Sequence, residues 1–199
     1  MICAPAVCLL ALCFYIASYF VFRFYPETVS EVIALARFVD QKELQDLASA
    51  MIEENLRSSL PARRFRTEQR KRAILLLEYL RRMSYNSWVI LSWAYQLQDR
   101  SQGLLAPNEG LVVAITDALA AAAPFRLYSL MVLPRLALRI LLSRLRIVPL
   151  PTLATAVRVK NRTMAGMYDR LVNTAIRLAI SEGGDAENRL ARILLGDMS

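Results

Sequence analysis

The chain reads as an all-α protein, an amino-terminal transmembrane helix followed by a bundle of about five to six helices. Three observations predict this. Residues 1–22 (MICAPAVCLLALCFYIASYFVF) carry no charge and stop at Arg23. Glycine is scarce, 6 in 199 residues. Beyond the opening segment apolar residues recur at the three- and four-residue steps of a helix, not at the alternation of a strand.

At ~1.5 Å per residue the opening run covers about 33 Å, close to the ~30 Å hydrocarbon core of a bilayer. A secretory signal would carry positive charge ahead of a shorter apolar core and end at small residues. No Lys or Arg precedes this run, and Tyr15 stands two residues before Ala17, where a small side chain is wanted. Leu10-Ala11-Leu12-Cys13 approximates a lipoprotein box only loosely, because Leu12 holds the place of a Gly or Ala. A helix buried in a soluble core is the remaining alternative, and a surface helix of such a core would show a polar face that this segment lacks. Residues 1–25 are therefore expected to be a membrane anchor and residues 26–199 a helical domain. Basic residues follow the run, at Arg23, Arg37, Lys42 and Arg57, and none precedes it. The positive-inside rule then predicts an outside amino terminus and a cytoplasmic body lying at the membrane periphery.

The first body helix is expected over about 29–60, with Thr28 and Glu31 as a capping box and Pro61 as its stop. A second long helix is expected over about 67–98. Within it Tyr85, Trp88, Ser92 and Tyr95 share one face, an aromatic stripe of the kind that gathers at membrane interfaces and partner surfaces, although plain core is the commoner fate of such spacing. Residues 99–110 (DRSQGLLAPNEG) have the strongest breaker composition, and any subdivision of the body is expected there. The small-residue run 111–123 (LVVAITDALAAAA) suits close packing against another helix. Pro124 and Pro134 are expected to interrupt the helical stretch that follows, which ends near Pro149. One more long helix is expected over 152–182, stopped by Gly183 and Gly184, and Asp185 caps a last short one ending at Gly196.

The chemistry available is restricted. The three cysteines, Cys3, Cys8 and Cys13, all fall in the opening segment, so the body has no thiol for disulfide, metal or nucleophilic work. Histidine is absent, which removes Ser-His-Asp and Cys-His catalysis and most zinc or copper sites. No glycine-rich nucleotide loop or calcium loop is present. Asp40, Glu43 and Asp46, and the pair Glu53 and Glu54, read as solvated helix faces. The sequence nominates no catalytic residue, no cofactor and no metal, and an enzyme is the less favoured class.

The charge is localised. Between Asp117 and Asp169 lie 51 residues without an acid and with eight bases, Arg126, Arg135, Arg139, Arg144, Arg146, Arg158, Lys160 and Arg162. The other 17 basic residues equal the 17 acidic ones, so this stretch holds the whole net charge of +8. On an ideal helix Arg135, Arg139 and Arg146 fall within about 40°, with leucine and isoleucine over much of the remaining surface. A basic, leucine-rich amphipathic helix suits the headgroup plane of an anionic membrane leaflet, whereas a core helix would pair its arginines with distant acids. A second true span at 111–133 would hold Asp117 and Arg126, each costing ~2.5 to 3.5 kcal/mol near the bilayer centre. A second basic knot, Arg63, Arg64, Arg66, Arg70, Lys71 and Arg72, opens a helix where the macrodipole disfavours cations. Glu53 and Glu54 are its expected partners, with phospholipid, an acidic subunit or nucleic acid as alternatives.

Together these features predict a single-pass membrane-anchored accessory or scaffolding subunit of a larger membrane protein assembly, with a basic amphipathic surface against anionic lipid or a protein partner. A membrane-tethered nucleic-acid binder is the second expectation. A histidine-free membrane enzyme or transporter subunit, built around Asp117, Tyr85 and Tyr95, is the third.

Overall fold

The computed structural model of the chain describes residues 26–102, 109–144, 152–153, 158–159, 162–182 and 187–195. The expected anchor at 1–25 lies outside the described residues. What is described is helical: α1 Val29–Leu35, α2 Gln41–Ala48, α3 Ala50–Ser59, α4 Ala62–Gln102, α5 Glu109–Arg144, α6 Met164–Glu182 and α7 Glu187–Leu195. One minimal antiparallel ladder joins β1 Arg158–Val159 to β2 Arg162–Thr163, pairing Arg158 with Thr163 and Val159 with Arg162.

The stretch expected as one helix over 29–60 is three. Thr28 caps α1 by accepting from Glu31 N at 3.4 Å, and the Glu31 carboxylate reaches back to Glu27 N at 2.7 Å, so the capping box forms one residue wider than its ideal. Ala36 then turns to extended geometry and ends the helix. Asp40 accepts from Glu43 N at 3.0 Å to start α2, and Ser49 accepts from Ile52 N at 3.4 Å to start α3. Short polar side chains that satisfy the first free N–H groups of a new helix make a break cheap, which the apolar period alone does not reveal.

α4 is longer than expected, 41 residues or about 60 Å, and forms the spine. α5 packs antiparallel along it in the most extensive helix contact among the described residues. Small residues permit the approach: Ala114, Ala118 and Ala122 recur every fourth position on the buried face of α5. Ser84 and Ser129 bond across the interface at 2.8 Å, and Arg70 donates to the Ser143 carbonyl at 3.2 Å. α6 lies against α5 and α4, and α7 packs on α6 and α1.

Pro124 and Pro134 do not interrupt α5, which continues through both. A helix-interior proline costs ~3 kcal/mol through its missing N–H and its clash with the preceding turn. Both rings stand on the exposed side, so the opposite face keeps Phe125, Val132 and Leu136 buried. An outward position is also the convex side of a helix curving round a core. Of the stretch expected as one helix over 152–182, α6 takes Met164–Glu182, and ahead of it Arg158–Val159 pair with Arg162–Thr163 in place of helix. The paired residues include the β-branched Val159 and Thr163, which favour pleated geometry.

Candidate lipid- or partner-facing surface

α5 is apolar on both of its faces. The inner face buries Ala114, Ala118, Ala122, Phe125, Ser129, Val132 and Leu136. On the outer face Val113, Leu127, Leu130, Leu138 and Leu141 each expose more than half of their surface, and Met131 nearly half. With Ala120, Pro124 and Pro134 these residues occupy about 120° of arc and run about 42 Å along the helix. Exposure of this kind at scattered sites is ordinary, but one contiguous stripe marks a contact surface. Glu109–Arg144 is the helix among the described residues that is long and apolar enough to cross a membrane, by length and composition. Residues 1–22, where that property was expected, lie outside the described residues.

The arginines border the stripe. Arg135 and Arg139 lie on one edge and Arg144 beyond the other, all three exposed. Arg126 is half-buried on the Arg144 side. Of the remaining bases expected on this surface, Arg158 and Arg162 stand on β1 and β2 with their side chains undescribed, and Arg146 and Lys160 lie outside the described residues. Asp117 is exposed near the start of the same face and is not sequestered. Tyr85 is half-buried and Tyr95 more than half exposed, so the three residues expected to frame a hydrophobic-substrate pocket do not converge.

The aromatic stripe divides in the same way. The rings of Tyr85 and Trp88 meet at 5.7 Å, tilted by 47°, and the Arg37 guanidinium sits 4.1 Å above Tyr85. Tyr85 and Trp88 pack on the core, and Ser92 is buried. Only Tyr95 faces out.

The basic knot at the start of α4 is also split by function. Arg72 donates to the carbonyls of Asp46 at 2.8 Å and Leu47 at 3.1 Å, completing the carboxyl end of α2 where the dipole favours a cation. Arg70 holds the end of α5 through Ser143. Lys71 pairs with Glu68 at 2.9 Å. Arg63, Arg64 and Arg66 are exposed. Glu53 does not serve these cations as expected. It is 6% exposed and accepts from Gln69 Nε2 and from Leu153 N, both at 2.8 Å, while Glu54 points outward. Beside the knot Lys71, Ile74, Leu75, Leu77, Glu78 and Arg81 line an open groove of about 520 Å³ on α4.

Two half-buried carboxyls are perturbed. Burial pushes Glu182 above the usual carboxylate range, with Arg100 and the Trp93 indole N–H drawing it partly back. Strict hydrogen-bond geometry is not met there, since Trp93 Nε1 and Glu182 Oε2 are both buried without a bonded partner. Burial likewise raises Asp169, opposed by Gln41. Both sit between packed helices and serve the bundle, and neither adjoins a nucleophile or an enclosed cavity among the described residues.

Asn86 is the polar residue that the sequence reading did not single out. Completely buried on α4, it accepts from Arg37 N at 2.8 Å and donates to Arg37 O and to the Tyr168 hydroxyl, both at 2.7 Å. Tyr168 in turn meets the ring of Phe125 at 5.7 Å, and burial raises its phenol well above the usual tyrosine range. An Asn inside an otherwise apolar helical face is the available signal. No family model, curated protein or solved structure matches this chain.

Proposed function

We infer that the protein is an all-helical accessory or scaffolding subunit of a larger membrane assembly, anchored by residues 1–22 with its amino terminus outside and its helical body in the cytoplasm. The observation that carries this reading is the outer face of α5, a long apolar stripe edged by Arg135, Arg139 and Arg144 that no other described element covers. Burying such a stripe against lipid or a partner is worth ~25 cal/mol per Å² of apolar surface, which a free monomer forgoes. The composition of the chain supports the same view, since a chain without histidine and with cysteine confined to its opening segment suits assembly better than catalysis.

The test is made on the full-length protein. Its membranes are washed at alkaline pH, reporters at residue 1 and residue 199 are probed for sidedness, and a mild-detergent extract is sized. Retention in the membrane, an external amino terminus and a stoichiometric complex are expected. Release by the wash, or a monodisperse protein with no partner and no affinity for anionic lipid, removes the reading.

Nucleic-acid binding is the weaker alternative. Arg63, Arg64 and Arg66 are exposed for it, but Arg70 and Arg72 hold backbone carbonyls of the protein itself.

A further inference from the structure

We propose that α5 lies flat in the headgroup plane of an anionic leaflet and does not cross the bilayer. The proposal rests on the membrane reading above and specifies how the α5 surface meets lipid.

The register of the α4–α5 pair carries the first step. The Ser84–Ser129 and Arg70–Ser143 contacts are separated by 14 residues on each helix, so the two helices run side by side without slipping. Arg81 on α4 is therefore level with the stretch of α5 around Val132. Arg37 stacks on Tyr85, which is level with Tyr128. On α6, Tyr168 packs on Phe125, and Arg170 follows two residues later. Arg37, Arg81 and Arg170 are all exposed. All three lie on exposed surface near the level of the α5 midpoint.

A crossing α5 would bring its packed neighbours with it and place those three guanidiniums in hydrocarbon, where charged side chains are rare and costly. A flat α5 leaves them in water. Its length favours the same arrangement: 36 residues rise about 54 Å, well beyond the ~30 Å hydrocarbon core, whereas an in-plane helix has no length limit. The stripe supplies Leu127, Leu130, Met131, Leu138 and Leu141 to the acyl boundary. Arg135, Arg139 and Arg144, standing at its two edges, then sit at phosphate level. Their sign selects an anionic leaflet, and the acid-free run from 118 to 168 offers it no repulsion.

The experiment uses the full chain with Cys3, Cys8 and Cys13 changed to Ala, reconstituted in phosphatidylcholine vesicles containing 30% phosphatidylserine. Single nitroxides are placed at Val113, Leu127, Leu138 and, on the exposed face of α6, Asn173. Collision with oxygen and with a water-soluble nickel chelate reports the depth of each. The flat arrangement predicts one common shallow depth at 113, 127 and 138 and full water access at 173. In pure phosphatidylcholine, or with Arg135, Arg139 and Arg144 all changed to Gln, the label at 138 should move into water.

A deep 127 between shallow 113 and 138, with 173 also in lipid, overturns the proposal in favour of a span. Water access at all three stripe positions, in protein that remains with the vesicles, overturns it while leaving the anchor reading intact. Labels immobilised and shielded from both reagents overturn it in favour of a protein partner. Protein that does not stay with the vesicles at all removes the underlying membrane reading instead.

Discussion

Asn86 on α4 bonds both peptide groups of Arg37, taking its N–H at 2.8 Å and giving to its carbonyl at 2.7 Å. Arg37 lies in the extended link between α1 and α2, where no helical partner exists for either group. One side-chain amide thus replaces a missing turn of helix, and its second N–H reaches the Tyr168 hydroxyl on α6. Three elements are fixed to one buried residue.

Replacing Asn86 with Leu keeps the branched shape in a somewhat larger side chain and strands these partners. A buried donor or acceptor left unmade costs ~1 to 3 kcal/mol, and the Tyr168 hydroxyl is fully enclosed. Asn86→Leu is expected to destabilise by roughly 2 to 4 kcal/mol in chemical denaturation of the detergent-solubilised protein. A loss below about 1 kcal/mol would show that water replaces the clamp.

This junction also shows where legibility ended. The helical class follows from the apolar period, and the long α4 follows from it as well, because a helix of that length buries many residues on one stripe. Boundaries set by single side chains do not. Asp40-Gln41-Lys42-Glu43 is itself a capping pattern, but it sits inside a run whose apolar spacing continues, so the period hides the break. Likewise Pro124 and Pro134 read as stops until their outward position is known. At the surface, the arginine-rich stretch was visible as charge. The contribution of Val113, Leu127 and Leu130 was not, because a helix apolar on both faces gives no sign of which face is left uncovered.

Glu53 and Gln69 offer a second measurable link. Glu53 bridges Gln69 and the Leu153 amide, joining α3 and α4 to the chain that follows α5. A hydrogen bond to a charged group is worth ~1.5 to 3 kcal/mol, so a double-mutant cycle of Glu53→Ala and Gln69→Ala should return a coupling of at least about 1 kcal/mol. Additive single effects would indicate that Glu53 acts through Leu153 alone.

Glu182 should make stability depend on pH. Its folded carboxyl is raised above the ordinary 4.5, first by burial, so between 4.5 and that raised value the folded protein holds a proton that the unfolded chain has released. Stability from this group is complete below about 4.5 and declines as pH rises through the folded value. Glu182→Gln removes the titration. The variant is expected to gain on wild type as pH goes from 4 to 7, read as a widening difference in unfolding midpoint. A constant difference across that range would mean that Arg100 and Trp93 already offset the desolvation.

The six cations at the start of α4 should separate into two kinds. Arg72 closes the carboxyl end of α2 through two carbonyls, and hydrogen bonds from a cation are the stronger class. Arg72→Met should cost about 1 to 2 kcal/mol, with Arg72→Lys recovering only part, because both bonds leave the single Nη2 and the shorter lysine stem does not carry its ammonium to that point. Arg63 and Arg64 are exposed, and changing both to Gln should leave stability within about 0.5 kcal/mol. The same double variant decides what those two arginines do. If they bind nucleic acid, affinity for a DNA or RNA oligonucleotide is salt-sensitive and falls in the variant, since each neutralised phosphate contact contributes to the slope. The expected result is no binding at 150 mM salt in either protein, with any attachment to anionic vesicles surviving the change, because the α5 arginines remain.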